Sequence, residues 1–166
     1  MKPDDKPAVF LGIVNDHKGI IYKVANSYCK DAERRNDLVQ EIILQLWKSY
    51  DHYNSQFRYS TWIYRIALNV AISSYRKEIR TKETSFPLTE SILNLPESPA
   101  SDETERNIQR LQQFIAELKE LDKALMLLYL DEKSHKEIAE IIGITETNVA
   151  TKISRIKAVL KQKFSI

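Results

Sequence analysis

The sequence predicts an all-α protein: two small helical domains joined by a flexible linker, the C-terminal one containing a helix-turn-helix. Three observations carry this. Of the 166 residues 43% are hydrophobic, yet only 3 are Gly and 5 Pro, a balance that favours helices over sheet or disorder. Apolar residues recur with helical spacing in both modules, as at Val39, Ile42, Ile43, Leu46, Trp47 and Tyr50 at steps of three and one. Finally, the stretch "ETSFPLTESILNLPESPASDETE" holds three of the prolines, many Ser and Thr and little periodicity, which marks a linker. It divides the chain into residues 1–80, a linker over 81–105 and residues 106–166. Within it, Phe86, Leu88, Ile92, Leu93 and Leu95 would allow part of the linker to lie against a surface.

Each helix has its own signal. "AVFLGIV" and "IIYKVANSYC" flank Gly19 and predict a helical hairpin broken there. Val39, Ile42, Ile43, Leu46, Trp47 and Tyr50 give an amphipathic helix over 32–50. After the turn "DHYNSQFRY", Ser60 or Thr61 is placed to cap a helix running to about residue 80. In the second domain Ile108, Leu111, Ile115 and Leu118 mark one helix and "DKALMLLYL" a second, buried one. Ser134 and Glu137 then form a capping box that starts a short helix. Gly143 is placed to end it, since glycine lacks the Cβ that disfavours a left-handed turn residue. Thr145 caps a longer helix with Val149, Ile153, Ile156 and Leu160 on one stripe. A short helix, a glycine turn and a second amphipathic helix describe a helix-turn-helix.

Composition bounds the function. No apolar run approaches the roughly 20 residues of a membrane span. The N-terminal "MKPDDKPAVFLGIV" has two aspartates and too short an apolar run for a secretory signal, so the expected location is cytoplasmic, with no direct membrane insertion. Cys29 is the only cysteine, which excludes an internal disulfide and a cysteine-based zinc site, and it reads as a buried thiol. His17, His52 and His135 show no ligand spacing, and there is no phosphate-binding glycine loop or nucleophile motif. No metal, no cofactor and no catalytic activity are expected.

The net charge of +2 conceals a pattern. Residues 1–57 balance to zero, 58–80 carry +4, 81–105 carry −5, 106–145 carry −1 and 146–166 carry +4. Two basic blocks flanking an acidic one suit a polyanion touched in two places. In the second block, a helix-turn-helix would lay its second helix in the major groove of DNA. Thr147, Asn148, Thr151, Lys152 and Arg155 are the side chains placed to reach bases or phosphates there; Asn pairs with adenine and Arg or Lys with guanine. In the first block, Trp62, Arg65, Asn69, Ser73 and Arg76 share one helix face, followed by Lys77. An aromatic ring, guanidinium groups and an amide are the parts of a single-strand binding surface. A plain core role for Trp62 and Tyr64 is the competing reading. On the third helix Asp37, Gln40, Glu41 and Lys48 form a polar side, either merely solvated or a docking face for protein.

These stretches in this order, "DLVQEIILQLW", "FRYSTWIYRIALNVAISSYRKE" and "SHKEIAEIIGITETNVATKISRIKAVL", resemble the extracytoplasmic-function sigma factors, the small two-domain promoter-recognition subunits of bacterial RNA polymerase. The resemblance implies that Asp37, Gln40, Glu41 and Lys48 dock on the clamp helices of the largest subunit of core RNA polymerase. It implies that the helix of Trp62, Arg65, Asn69, Ser73, Arg76 and Lys77 melts and reads the minus-ten element, with a flipped base near Asn69. The recognition helix would read the duplex minus-thirty-five element near the polymerase flap, and the acidic linker would thread toward the RNA exit path. Promoter DNA and an anti-sigma factor are the other implied partners. The sequence departs from the family at Ala150, a position often basic in relatives, and at Asn148, which stands where a small hydroxyl residue is usual. The alternative is a helix-turn-helix regulator that binds duplex DNA without a polymerase-subunit role; it leaves the Trp62 stripe and the Asp37 face unexplained.

Overall fold

A computed structural model describes residues 5–84 and 103–164. Apart from one 3₁₀ turn at Tyr50–His52, each described element is an α-helix: α1 Lys6–Asp16, α2 Lys18–Tyr28, α3 Ala32–Ser49, α4 Tyr59–Thr84, α5 Glu103–Glu117, α6 Glu120–Leu130, α7 His135–Ile142 and α8 Glu146–Phe164. The expected linker lies, for residues 85–102, outside the described residues, and with it the apolar positions Phe86 to Leu95. At its edges α4 continues to Thr84, beyond residue 80, and α5 begins at Glu103.

In the first half, α2 and α3 pack against α4. Ile21, Val24, Ile42, Leu46, Ile63, Tyr64 and Ala67 are fully buried between them, and Cys29 is buried as expected. Burying such side chains stabilises by about 1.5–3 kcal/mol each for the larger aliphatics. The break between α1 and α2 falls at His17, not Gly19, which lies inside α2. His17 ends α1 because its backbone N–H reaches the Ile13 and Val14 carbonyls and its ring Nδ1 sits 2.8 Å from the Ile13 oxygen. Asp31 caps α3 by accepting the Glu33 N–H at 3.0 Å. α4 starts at Tyr59, ahead of both predicted caps: Tyr59 stacks on Tyr53 with ring centroids 4.6 Å apart, and the Trp62 N–H already bonds the Arg58 carbonyl. Aromatic packing in the preceding loop, invisible to a capping rule, sets this entry.

In the second half, α6 is the central element, with Ala124, Leu125, Met126 and Leu128 buried. On α5 the buried residue is Phe114, while Ile108 is half exposed. The stripe read from Ile108, Leu111, Ile115 and Leu118 therefore only flanks the true contact. α7 and α8 follow the sequence reading closely. The Ser134 hydroxyl accepts the Glu137 N–H at 3.1 Å, Gly143 ends α7 at φ 85°, and Thr145 Oγ1 accepts the Asn148 N–H at 3.1 Å to start α8. Val149, Ile153 and Ile156 are buried against α6 and α7, with Leu160 partly covered. The two halves also touch: α4 packs on α6 and α7, and their buried residues form one continuous cluster.

Candidate nucleic-acid interface

Two helices build a polar trough in the first half. Along α3, Asp37, Glu41, Gln45 and Ser49 recur every four residues and so line one wall; along α4, Asn69, Ser73 and Lys77 do the same on the other. The groove between them encloses about 920 Å³. Gln45 donates to Glu41 at 3.0 Å, and Arg34 spans the groove to Glu78 at 2.6 Å, tying α3 to α4 at one end. The side chains of Asn69, Ser73 and Lys77 are exposed and have no partner among the described residues. Asp37 and Glu41 are exposed on the opposing wall, Gln40 and Lys48 on the solvent side of α3.

The start of α4 meets a different environment. Trp62 is half-buried in an aromatic cluster, with ring centroids 5.2 Å from Tyr53, 6.3 Å from Tyr50 and 6.4 Å from Tyr59. Arg65 lies beside it with its guanidinium 5.7 Å from the Phe57 ring. Tyr53 donates its hydroxyl to the Phe57 carbonyl, and Asn54 accepts the Gln56 N–H, so the loop is internally bonded. Tyr53, Phe57 and Tyr59 thus join Trp62 and Arg65 in one aromatic and cationic surface. Treating them as turn residues leaves them out of the predicted site, although the aromatic density of "YDHYNSQFRY" is the available signal.

The predicted stripe on α4 therefore shares one face but meets three neighbourhoods. Trp62 and Arg65 belong to the aromatic cluster, and Asn69, Ser73 and Lys77 to the trough. Arg76 donates through Nε to Glu120 of α6 at 2.8 Å. That hydrogen bond holds the Glu120 carboxyl below its usual pKa. Tyr64, the competing core candidate, is indeed core, with 0% of its surface exposed.

On α8, Thr147, Asn148, Thr151 and Arg155 are exposed and Lys152 is partly so. They occupy the N-terminal half of the helix, the half that a helix-turn-helix offers to bases. Lys152 and Arg155 have no hydrogen-bond or ion-pair partner among the described residues. Other basic residues of α8 are held by their own domain: Lys157 Nζ is 3.1 Å from the Tyr129 hydroxyl, and Lys163 is 3.5 Å from Glu117. Among the described residues no group of three or more His, Cys, Asp or Glu is placed to hold a metal ion, and no helix is long and apolar enough to cross a membrane.

Comparison with known proteins agrees with this geometry. Residues 13–81 match the family description Sigma-70 region 2, and residues 108–160 match Sigma-70, region 4. The chain is 28% identical to the ECF RNA polymerase sigma factor SigW of Bacillus subtilis (strain 168), over 98% of this chain and 92% of that one. It is 29% identical to SigM of the same organism, over 87% and 88%. Among solved structures it shares its fold with CnrH, determined in complex with the cytosolic domain of CnrY, at a TM-score of 0.67 and 19% identity over 96% of this chain and 89% of that one. The Bartonella quintana sigma factor RpoE, determined with the anti-sigma factor NepR, gives 0.66 and 19% over 98% of both chains. With both matched regions in order along a two-part chain of helices, the protein belongs to the extracytoplasmic-function sigma factors of the sigma-70 family.

Proposed function

We propose that this sigma factor divides its work among three surfaces, recruiting core RNA polymerase to promoters and opening the DNA with no catalytic step of its own. Asp37, Gln40, Glu41 and Lys48 on α3 dock on the clamp helices of the polymerase. The α4 face holds the opened minus-ten element. There Trp62 and Arg65 stack on and pair with the unpaired strand, Asn69 reads an extruded base, and Ser73, Arg76 and Lys77 hold backbone. Extruding a base costs a few kcal/mol, which stacking, hydrogen bonds and phosphate contacts can offset. Thr147, Asn148, Thr151, Lys152 and Arg155 read the duplex minus-thirty-five element from the major groove, with α5–α8 near the polymerase flap. Residues 1–80 and 106–166 are thus two recognition domains, and the acidic segment 81–105 is the tether between them.

The observation that carries this reading is the trough itself. It places the acidic face of α3 directly across from the unpartnered Asn69, Ser73 and Lys77 of α4. One groove thereby joins a wall fit for protein to a wall fit for nucleic acid, as a subunit that opens DNA on a polymerase requires. A duplex-binding regulator would need only α7 and α8. An anti-sigma protein is the third partner we propose, since the RpoE relative was determined with one. Co-elution tests the docking step: wild-type chain should elute with core polymerase in stoichiometric complex, and Asp37→Arg/Glu41→Arg should not. Equal co-elution of both would refute the docking assignment.

A further inference from the structure

The basic block on α4 contains one acid. Between residues 58 and 80 stand Arg58, Arg65, Arg76, Lys77 and Arg80, with Glu78 as the sole carboxylate. Glu78 follows Lys77 directly and lines the same trough as Asn69, Ser73 and Lys77. Beside it a second hollow of about 570 Å³ is lined by Ser73, Lys77, Arg80 and Thr81. Two hydroxyls, an ammonium and a guanidinium are donors of the kind that hold phosphate. All lie within about a turn and a half of Glu78, some 8 Å along the helix axis, so its charge is felt at each of them even at physiological salt. An acid at this point works against the wall it belongs to.

The opposite helix answers that charge. Arg34 of α3 reaches over the trough, 44 positions away in sequence, and donates through Nη1 to Glu78 Oε1 at 2.6 Å. Its Nε lies 3.8 Å from Asp31, the residue that caps α3, so the guanidinium is also drawn to its own helix. The Arg34 side chain stays 61% exposed and that of Glu78 29%. An ion pair this open adds little to stability. Its larger effect is on the field that the trough shows to a polyanion, because the pair turns the one acidic position of the block into a neutral one. Arg34 stands one turn before Asp37, where the wall assigned to polymerase begins and the wall assigned to DNA ends.

From these observations we infer that Arg34 is a positioning residue for promoter DNA. By neutralising Glu78 it lets the far end of α4 hold the backbone of the opened strand, and it acts through Glu78 without touching DNA or polymerase itself. Removing Arg34 alone lowers the net charge beside Lys77 and Arg80 by one; removing Arg34 and Glu78 together leaves it unchanged. The inference rests on the proposed holding of the minus-ten element by α4.

A charge cycle on the full chain tests it. Single-round transcription by core polymerase on fragmented genomic DNA is compared for wild type, Arg34→Ala, Glu78→Gln and the double variant, at about 50 mM and about 200 mM salt. Arg34→Ala should lower the yield of protein-dependent starts roughly threefold to fivefold at the lower salt and less at the higher. Glu78→Gln should match or exceed wild type, and the double variant should match Glu78→Gln. All four should co-elute equally with core polymerase. A loss in Glu78→Gln equal to that in Arg34→Ala would make the pair a mere brace and overturn the inference. A loss that persists in the double variant would overturn it too, since Arg34 would then act by a contact of its own. Loss of co-elution in Arg34→Ala would do the same by placing the defect at the polymerase. Asn69→Ala, run alongside, separates this inference from the reading beneath it. Wild-type yield from Asn69→Ala would strike the holding of DNA by α4, and the role of Arg34 with it. A loss in Asn69→Ala with none in Arg34→Ala would strike the role of Arg34 alone.

Discussion

The Tyr64 hydroxyl donates to Asp131 Oδ2 at 2.6 Å, joining the second turn of α4 to the end of α6 across 67 positions of sequence. Burial pushes the Asp131 carboxyl up, but the bonds from Lys23 and Tyr64 outweigh it and leave its pKa below the ordinary 3.8. A carboxylate with a depressed native pKa stabilises the native state above its unfolded value, and this contribution is lost as pH falls through the native pKa. Asp131→Asn should therefore remove part of the acid sensitivity of the wild type below about pH 4. Tyr64→Phe should cost about 1.5–3 kcal/mol, the scale of a hydrogen bond to a charged group. Urea titrations from pH 3 to 7 check both.

Lys123 gives the opposite experiment, at high pH. Burial, then the nearby charge of Lys30, pulls its pKa below 10.5 despite Glu120. The native state thus binds fewer protons than the unfolded one, so stability rises with pH between the depressed value and 10.5. As pH rises toward 10.5 the wild type should gain stability relative to Lys123→Met, which cannot titrate. At pH 7 the two should differ by about 1 kcal/mol or less, because lost cation–π contacts are offset by relief of a buried charge.

At Gly143 the backbone has φ 85°, and a Cβ built there would meet nothing within 4 Å. The cost of Gly143→Ala is therefore purely conformational, about 1–2 kcal/mol. Gly143→Asn should cost less, since Asn tolerates the left-handed region. Thermal melts of the three proteins rank them.

Asn69 is exposed and without a partner, so Asn69→Ala should change stability by less than about 0.5 kcal/mol. It should nevertheless lower transcription from a duplex promoter about tenfold or more, the scale of one lost base contact. A premelted template should recover part of that loss. Trp62→Ala should behave likewise on templates but also destabilise, because its ring packs on Tyr53. Equal losses on duplex and premelted DNA would make Trp62 a core residue only.

For Arg155 and Lys152 the expected loss lies upstream. Each change to Ala should weaken binding to the minus-thirty-five element by about 1–3 kcal/mol if the contact is to a base. A contact to phosphate would instead weaken all sequences alike and reduce the salt dependence. Gel-shift titrations on specific and scrambled duplexes at two salt concentrations separate the cases.

The features legible in the sequence are the local ones. The Ser134 cap of α7, the Gly143 end of α7 and the Thr145 cap of α8 are relations within four residues and stand in the structure as read, although the Glu137 carboxylate of the expected capping box lies by Lys133, 3.9 Å away. Periodicity finds the helices but misjudges α5, where Phe114 rather than the Ile108 stripe turns inward. The break at His17 escapes it because a ring bonding back to a carbonyl leaves no compositional trace. Least legible are the partners of Tyr64, Arg76 and Lys123. Their mates lie in the other half of the chain, and no repeat or spacing encodes a pairing across a linker. In sequence Lys123 is a mere interruption of an apolar helix; in the fold it is the cation that α6 places between two tyrosines.

The decisive experiment is transcription by purified core RNA polymerase on fragmented genomic DNA, with and without this protein, with sequencing of the transcript starts. A promoter-recognition subunit should produce discrete new starts that share two upstream elements about 25 base pairs apart and disappear with Asp37→Arg/Glu41→Arg. Starts indistinguishable from those of core polymerase alone would contradict that role.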